Sequence, residues 1–102
     1  ILVHAGDFTM SGTQKEVEGF ITWLKSLTQY RLKIFIAGNH DLTLEPPFYE
    51  ENWQRWHHNS KQDCQAINQL VRDPSLARDF GIIYLEQQEF VDPQTRLKFF
   101  GR

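Results

Sequence analysis

The chain has 102 residues, and its 11 basic and 13 acidic side chains leave a formal net charge of −2. A chain of this size holds one domain or part of one, and its charge excludes a bulk electrostatic attraction to nucleic acid or to an anionic membrane. Because 40% of the residues are hydrophobic and Cys64 is the single cysteine, the composition is that of a globular protein without an internal disulfide.

The first half of the chain alternates strand, helix and strand. Residues 1–3 (Ile-Leu-Val) form an apolar run that ends at a Gly-Asp pair, as a buried strand does when it leads into a loop. Thr13 and Glu16 then fit the capping box of a helix. Apolar side chains follow at helical spacing and form one stripe: Val17, Phe20, Ile21, Leu24 and Leu27. Residues 32–37 predict a second strand, which again ends at a glycine-led loop.

This βαβ unit places two polar loops at one edge of the sheet. The two strands of such a unit run parallel, so neighbouring strands bring their carboxyl ends side by side. The loop after the first strand then meets residues 38–41 (Gly-Asn-His-Asp) at the edge where open α/β sheets bind ligands. The topology therefore predicts one neighbourhood that contains Asp7, Asn39, His40 and Asp41.

The second half of the chain predicts short helices and a hairpin. A proline pair precedes a short helical stretch with four aromatic side chains, which can form either a stacking wall for an aryl group or, as we expect, core: Phe48, Tyr49, Trp53 and Trp56. Residues 62–80 predict two helices with a break at Asp73-Pro74. Residues 81–100 predict strands with a turn at residues 92–95, and this hairpin together with the βαβ unit predicts a mixed sheet.

The residue types of the two polar loops suit phosphate and metal chemistry. Gly38 lets the backbone approach a ligand closely, and Asn39 offers a neutral oxygen to a divalent cation. His40 can bind a metal, transfer a proton or donate to a phosphoryl oxygen, and Asp41 can orient its imidazole. Asp7 can bridge two cations, which together stabilise an in-line phosphoryl displacement. Ordinary turn chemistry is the alternative, but two such loops at the ends of parallel strands disfavour it.

Two stretches resemble signature blocks of the calcineurin-like metallophosphoesterases. Residues 1–7 (Ile-Leu-Val-His-Ala-Gly-Asp) and 34–41 (Ile-Phe-Ile-Ala-Gly-Asn-His-Asp) resemble the second and third blocks of that family, Gly-Asp and Gly-Asn-His-Asp/Glu. Within the family, the motifs His-Ala-Gly-Asp (residues 4–7) and Ala-Gly-Asn-His (residues 37–40) most resemble those of the branch of metallophosphoesterase domain-containing proteins. The motif-bearing resemblance covers about residues 1–44, and residues 99–101 (Phe-Phe-Gly) resemble the same branch less specifically.

The resemblance implies a fold, a cofactor and a reaction. The fold is a four-layer α/β/β/α fold, of which this α/β chain would be a fragment made of a βαβ unit, helices and a β-hairpin. Asp7 would bridge two divalent metal ions, Mn²⁺ or else Fe or Zn, and Asn39 would bind one of them and contact the phosphate. His40 would stabilise or protonate the leaving group, with Asp41 as its partner. A metal-bridging hydroxide would attack the phosphorus of a phosphomonoester or phosphodiester, for example a cyclic nucleotide.

Parts of the family pattern have no counterpart in this sequence. The first block, Asp-x-His, and the last block, Gly-His-x-His, occur nowhere, and neither His57 nor His58 follows a strand as a further metal ligand would. We therefore expect residues 1–102 to form a partial phosphoesterase domain without its N- and C-terminal blocks, and the chain alone to be inactive. His40 favours an enzyme over an inactive phosphoesterase-like scaffold, because a scaffold has no evident need for it. A small binding module is a third possibility, which a large distance between Asp7 and Asn39 would support.

The remaining expectations concern single residues and location. His4 lies three positions before Asp7 on its strand, so we expect it on the opposite face as a structural histidine. Cys64 is expected to act as a small core side chain. No apolar run approaches the roughly 20 residues that cross a bilayer, so we expect no membrane partner, and a cytoplasmic location is the default expectation.

Overall fold

Five strands and four α-helices follow one another in the computed structural model, which describes residues 1–58 and 60–101. The strands are β1 (Leu2–His4), β2 (Lys33–Phe35), β3 (Ile82–Tyr84), β4 (Gln88–Val91) and β5 (Lys98–Gly101). The helices are α1 (Gln14–Ser26), α2 (Pro46–Asn52), α3 (Cys64–Val71) and α4 (Pro74–Phe80), with short 3₁₀ turns at Leu42–Leu44 and Trp53–Arg55. No helix in the described part of the chain combines the length and apolar character that a bilayer span requires.

A parallel sheet in the order β1-β2-β3 organises the chain. Val3 pairs with Ile34, and Ile34 pairs in turn with Ile83. The predicted βαβ unit is confirmed, because β1 and β2 are direct neighbours connected through α1. The α/β class is confirmed as well.

The predicted hairpin is present, but it does not extend the parallel sheet. Within the described residues, β4 and β5 pair only with each other, in antiparallel register, and form a separate two-stranded sheet in contrast to the predicted mixed sheet. The hairpin is held by packing instead, since Phe90 and Phe99 lie against a small core of Leu32, Ile34 and Leu85. Apolar contact of this kind stabilises the hairpin without a shared hydrogen-bond ladder.

Helix α1 covers one face of the parallel sheet. The capping box is present as predicted: the Thr13 side chain accepts from the Glu16 backbone N–H, and Glu16 accepts from the Thr13 N–H. Four residues of the stripe predicted for this helix are buried, with Val17 and Leu24 almost completely enclosed, whereas the fifth, Leu27, follows the helix and is partly buried. Each such side chain stabilises the fold by about 1.5–3 kcal/mol. Residues of the other elements complete this core: Phe35, Leu44, Ile67, Val71, Leu76, Ile82 and Tyr84.

The four aromatic side chains of the second half do not all enter the core. Tyr49 is fully buried, and Trp53 packs beside it against Leu42 and Cys64. Phe48 and Trp56 are instead exposed by 45% and 41%, and their rings contact each other. Because α2 is a short helix with one buried face, the neighbour of its buried Tyr49 points outward. The expectation of core packing is therefore wrong for Phe48 and Trp56.

Candidate functional site

The loops that follow β1 and β2 meet at the carboxyl edge of the parallel sheet. The His40 backbone N–H donates to Asp7 Oδ1 at 2.9 Å. The Asp7 backbone N–H donates to Asp41 Oδ2, also at 2.9 Å. Asn39 lies in the same loop between Gly38 and His40 and is exposed. The structure thus brings all four predicted site residues to one place, with two loops bonded directly to each other.

Two glycines permit the close approach of these loops. A Cβ atom on Gly6, whose φ is +99°, would lie 2.7 Å from the Gly38 backbone nitrogen. A Cβ atom on Gly38 would lie 2.3 Å from Asp7 Oδ1. Asp7 itself has a φ of +57°, a left-handed conformation that aspartate tolerates better than most residues. The Gly-Asp and Gly-Asn pairs are therefore needed by the backbone geometry, whatever chemistry the side chains carry out.

The Asp41 carboxylate is the centre of this contact. Its side chain has no exposed surface and accepts four hydrogen bonds. Oδ2 accepts from the backbone N–H groups of Asp7 and Gly38, at 2.9 and 2.8 Å. Oδ1 accepts from the Thr9 backbone N–H at 3.0 Å and from the Thr9 hydroxyl at 2.6 Å. A carboxylate with this many partners holds both loops in register.

The predicted partnership between Asp41 and the His40 ring is not what the structure contains. The His40 ring is exposed, and its Nδ1 contacts the Met10 carbonyl oxygen at 3.1 Å. A carbonyl oxygen only accepts, so Nδ1 carries the hydrogen and Nε2 presents a lone pair in the neutral ring. Adjacent residues in this loop point in opposite directions, which places the Asp41 carboxylate inside and the His40 imidazole outside.

Glu16 anchors the loop that carries Met10. Its carboxylate accepts from the backbone N–H groups of Met10 at 2.7 Å and Thr13 at 3.2 Å. Partial burial opposes ionisation of Glu16, but hydrogen bonds from Met10, Thr13 and Ser11 outweigh it and lower the pKa of the carboxyl group. The negative charge therefore persists at the start of α1, where the helix dipole also favours it.

Asp7 and Asn39 are the oxygen donors that this site can offer to a cation. Carboxylate and amide oxygens suit hard divalent ions. Among residues 1–58 and 60–101, however, no group of three or more His, Cys, Asp or Glu side chains is arranged to hold a metal ion. The Asp41 oxygens are already occupied by N–H and O–H donors. Asp7 and Asn39 can supply some of the ligands of one cation, but these two side chains do not make up a complete two-metal centre.

A cavity of about 470 Å³ opens beside Asn39. Its lining combines the glycine-led loop with apolar and acidic side chains: Ala37, Gly38, Asn39, Asp41, Leu42, Glu45 and Phe48. The sequence pattern predicts Phe48 in the core, whereas the side chain lines this cavity. The sequence signal for that position is the proline pair that starts α2 next to the loop. A larger cavity of about 710 Å³ lies between α2 and α3 and shares no residue with the two loops.

Other sequence candidates have structural roles. His4 Nδ1 lies 3.3 Å from the Gly6 N–H, which donates to it, and the ring contacts Phe20 edge-on, as expected for a structural histidine. Cys64 is buried, and this burial raises the pKa of its thiol. Both ring nitrogens of His57 lie within hydrogen-bond distance of other side chains, so neither is directed at a cation.

Comparison with known proteins gives matches to one family and to parts of longer proteins. A profile of the calcineurin-like phosphoesterases matches residues 1–99. Metallophosphoesterase domain-containing protein 1 of Homo sapiens is 54% identical over 48 residues, which are 47% of this chain and 14% of that protein, and the Mus musculus protein matches equally. Probable rhamnogalacturonate lyase C of Emericella nidulans is 46% identical over 61 residues, 60% of this chain and 5% of that protein. The chain spans a small part of the length of each relative.

Proposed function

The chain belongs to the calcineurin-like phosphoesterase family, and on this premise we propose that it supplies part of the active site of a metal-dependent phosphoesterase. The substrate would be a phosphomonoester or a phosphodiester. The observation that carries the proposal is the bonded contact between the Asp7 loop and the loop at residues 38–41, which brings a carboxylate, an amide and an imidazole to one sheet edge. Turn chemistry alone does not require an exposed imidazole there.

Each side chain has a distinct task in this proposal. Asp7 and Asn39 would hold divalent cations, Mn²⁺ or else Fe or Zn, which supply charge stabilisation and activate the attacking water. The Asn39 amide would also donate to a phosphate oxygen. His40 would act as an imidazolium: Nε2 would give its proton to the leaving-group oxygen, and the ring would become neutral with its remaining hydrogen on Nδ1, where the Met10 carbonyl accepts it. Asp41 is a positioning residue, since its carboxylate contacts the two loops rather than the solvent side.

The cavity beside Asn39 supports an ester that carries an aromatic group, such as a cyclic nucleotide. Phe48 lines this cavity together with Asn39 and is 45% exposed. A base or aryl ring stacked on such a side chain gains about 1–3 kcal/mol. A direct test compares the affinity for a cyclic nucleotide with that for a phosphodiester of two alkyl alcohols, in the chain and in Phe48→Leu. Equal affinities for both esters, in the chain and in Phe48→Leu, would exclude esters with an aromatic group as the preferred substrates.

Mn²⁺ binding tests the central proposal. The chain should bind Mn²⁺ weakly, because it offers two oxygen donors, and Asp7→Asn should abolish that binding in a titration followed by electron paramagnetic resonance. Asp63→Asn is the matched control, since this exposed aspartate caps α3, where asparagine serves as well. Equal binding by the Asp7→Asn variant and the chain would exclude Asp7 as a ligand.

Turnover should be low for the same reason. We expect little hydrolysis of p-nitrophenyl phosphate or its bis ester by the chain with added Mn²⁺. Robust hydrolysis that Asp7→Asn abolishes would show that the two donors suffice. A folded chain that binds no Mn²⁺ at all would instead favour the alternative function, an inactive phosphoesterase-like scaffold, which the small donor set also supports.

A further inference from the structure

A chain of side-chain hydrogen bonds links α2 to the loop that supports His40. Tyr49 Oη lies 2.8 Å from His57 Nδ1, and His57 Nε2 lies 3.0 Å from Ser11 Oγ. The Gln62 backbone N–H donates to Tyr49 Oη at 2.7 Å. His57 and Ser11 are 46 positions apart in the sequence, so this contact exists only through the tertiary fold.

The direction of each hydrogen bond follows from the burial of Tyr49. Its side chain is fully enclosed, and its oxygen already accepts from Gln62. The phenol hydrogen therefore goes to His57 Nδ1, which leaves the imidazole hydrogen on Nε2 to donate to the Ser11 hydroxyl oxygen. Tyr49 and His57 thus hold Ser11 from one side.

Ser11 does not have the surroundings of a nucleophile. The backbone N–H of Gly12 donates to Thr9 Oγ1, and that of Thr13 donates to Glu16 Oε1. The adjacent N–H groups are therefore occupied and cannot stabilise an oxyanion. The His57–Ser11 contact therefore serves to hold the loop that contains Ser11 and Met10.

The residue next to Ser11 is Met10, whose carbonyl oxygen accepts from His40 Nδ1. We propose that His57, acting through Ser11, is a positioning residue for His40: it fixes the Met10 carbonyl so that the imidazole keeps its hydrogen on Nδ1 and presents Nε2 outward. The catalytic value of this orientation rests on the proposed function, whereas the orientation itself does not. A displacement of about 1 Å in a reacting group can reduce a rate about 100-fold. Among the described residues, the exposed His40 ring has one hydrogen-bond partner, the Met10 carbonyl, so the position of the ring depends on that carbonyl.

Substitution of Ser11 separates this role from simple stability. Ser11→Ala removes the acceptor for His57 while Tyr49 and His57 stay paired, and Ser11→Thr restores a hydroxyl. The readout is the nitrogen NMR shifts of the neutral His40 ring in the full chain, assigned with a His40→Gln variant. We expect mainly the Nδ1–H form in the chain and in Ser11→Thr. In Ser11→Ala, the ratio of Nδ1–H to Nε2–H should fall about fivefold, the equivalent of one hydrogen bond.

Ser26→Ala is the matched control, because the Ser26 hydroxyl donates to the Trp23 carbonyl at the far end of α1 and its loss should leave the His40 shifts unchanged. Urea unfolding of every variant confirms that the fold is retained. An unchanged His40 tautomer ratio in Ser11→Ala, or a chain in which Nδ1–H does not predominate, would overturn the proposal. If the chain bound no Mn²⁺ while its His40 nitrogen shifts still showed mainly the Nδ1–H form, the proposed function would be overturned and the positioning role of His57 would stand.

Discussion

Replacement of the Asp41 carboxylate by an amide is the most direct test of how the two site loops are held. Asp41→Asn keeps the shape of the side chain but exchanges one acceptor oxygen for an NH₂ donor. The Oδ2 position faces two backbone N–H groups, from Asp7 and Gly38, neither of which can reverse its polarity. The Oδ1 position faces one backbone N–H and the Thr9 hydroxyl, and the hydroxyl can rotate to accept. The NH₂ group should therefore turn toward Thr9.

The cost follows from this arrangement. One buried N–H, that of Thr9, loses its acceptor and meets another donor, which costs about 1–3 kcal/mol. The two hydrogen bonds to Oδ2 lose the assistance of the negative charge, which makes such bonds roughly twice as strong as neutral ones. We expect a total loss of about 3 kcal/mol, against a typical stability of about 5–15 kcal/mol for a domain.

Urea unfolding followed by tryptophan fluorescence measures this loss. With a slope of about 2 kcal/mol per M, the midpoint should fall by about 1.5 M, without a change of slope. Asp63→Asn makes the same chemical exchange at the N-cap of α3, where asparagine is equally good, and its midpoint should hardly move. Midpoints that fall equally in both variants, or in neither, would refute the idea that Asp41 ties the loops together.

Three other predictions concern backbone space and pH. Gly38→Ala should destabilise the fold by more than about 2 kcal/mol because its Cβ meets the opposite loop, whereas Gly19→Ala, with open space around it, should stabilise α1 by about 1 kcal/mol; equal melting temperatures would contradict this. Arg31 holds the pKa of the buried Asp92 carboxyl well below its usual range, so this ion pair should stabilise the fold above about pH 4 and lose its effect at more acid pH. Asp92→Asn should flatten the acid limb of the urea midpoint, and an unchanged acid limb would count against the pair. Burial raises the pKa of Tyr84 to about 12. The stabilisation of the fold by the neutral Tyr84 phenol should therefore disappear as pH rises from about 10 toward that value. Tyrosinate absorbance should show one late-titrating phenol that Tyr84→Phe removes.

Local patterns were sufficient for the elements that form the site. The capping box at Thr13 and Glu16 starts α1, and the apolar stripe that follows decides which face of the helix meets the sheet. The right order of strand, helix and strand then leaves little choice of topology, because parallel neighbours end at the same edge. For this reason the proximity of Asp7 to the loop at residues 38–41 is predictable from spacing alone.

Side-chain direction within the loop was not predictable in the same way. His40 and Asp41 are adjacent, and adjacency suggests a pair, but Asp41 faces four donors inside while His40 faces Met10 outside. Which of two neighbouring polar residues enters the interior depends on where unpaired donor groups lie, and three of the four donors to Asp41 belong to a segment more than 30 positions away. The exposure of Phe48 was unpredictable for a similar reason, since helical spacing does not indicate which face of α2 is covered by the rest of the protein.

The order of residues in this protein therefore dictates the βαβ unit, the helix start and the two glycine-led loops, because the helix start and the turns depend on near neighbours and the parallel pairing of β1 and β2 follows from the chirality of their connection. The tertiary structure decides the partner of each polar side chain: Asp41 with the backbone of both loops, His40 with Met10, and Ser11 with His57. It also separates the hairpin from the parallel sheet. Hydrogen bonds and packing between distant segments are set by which buried groups remain unsatisfied after the local elements have formed, and only the folded chain brings those groups within reach of each other.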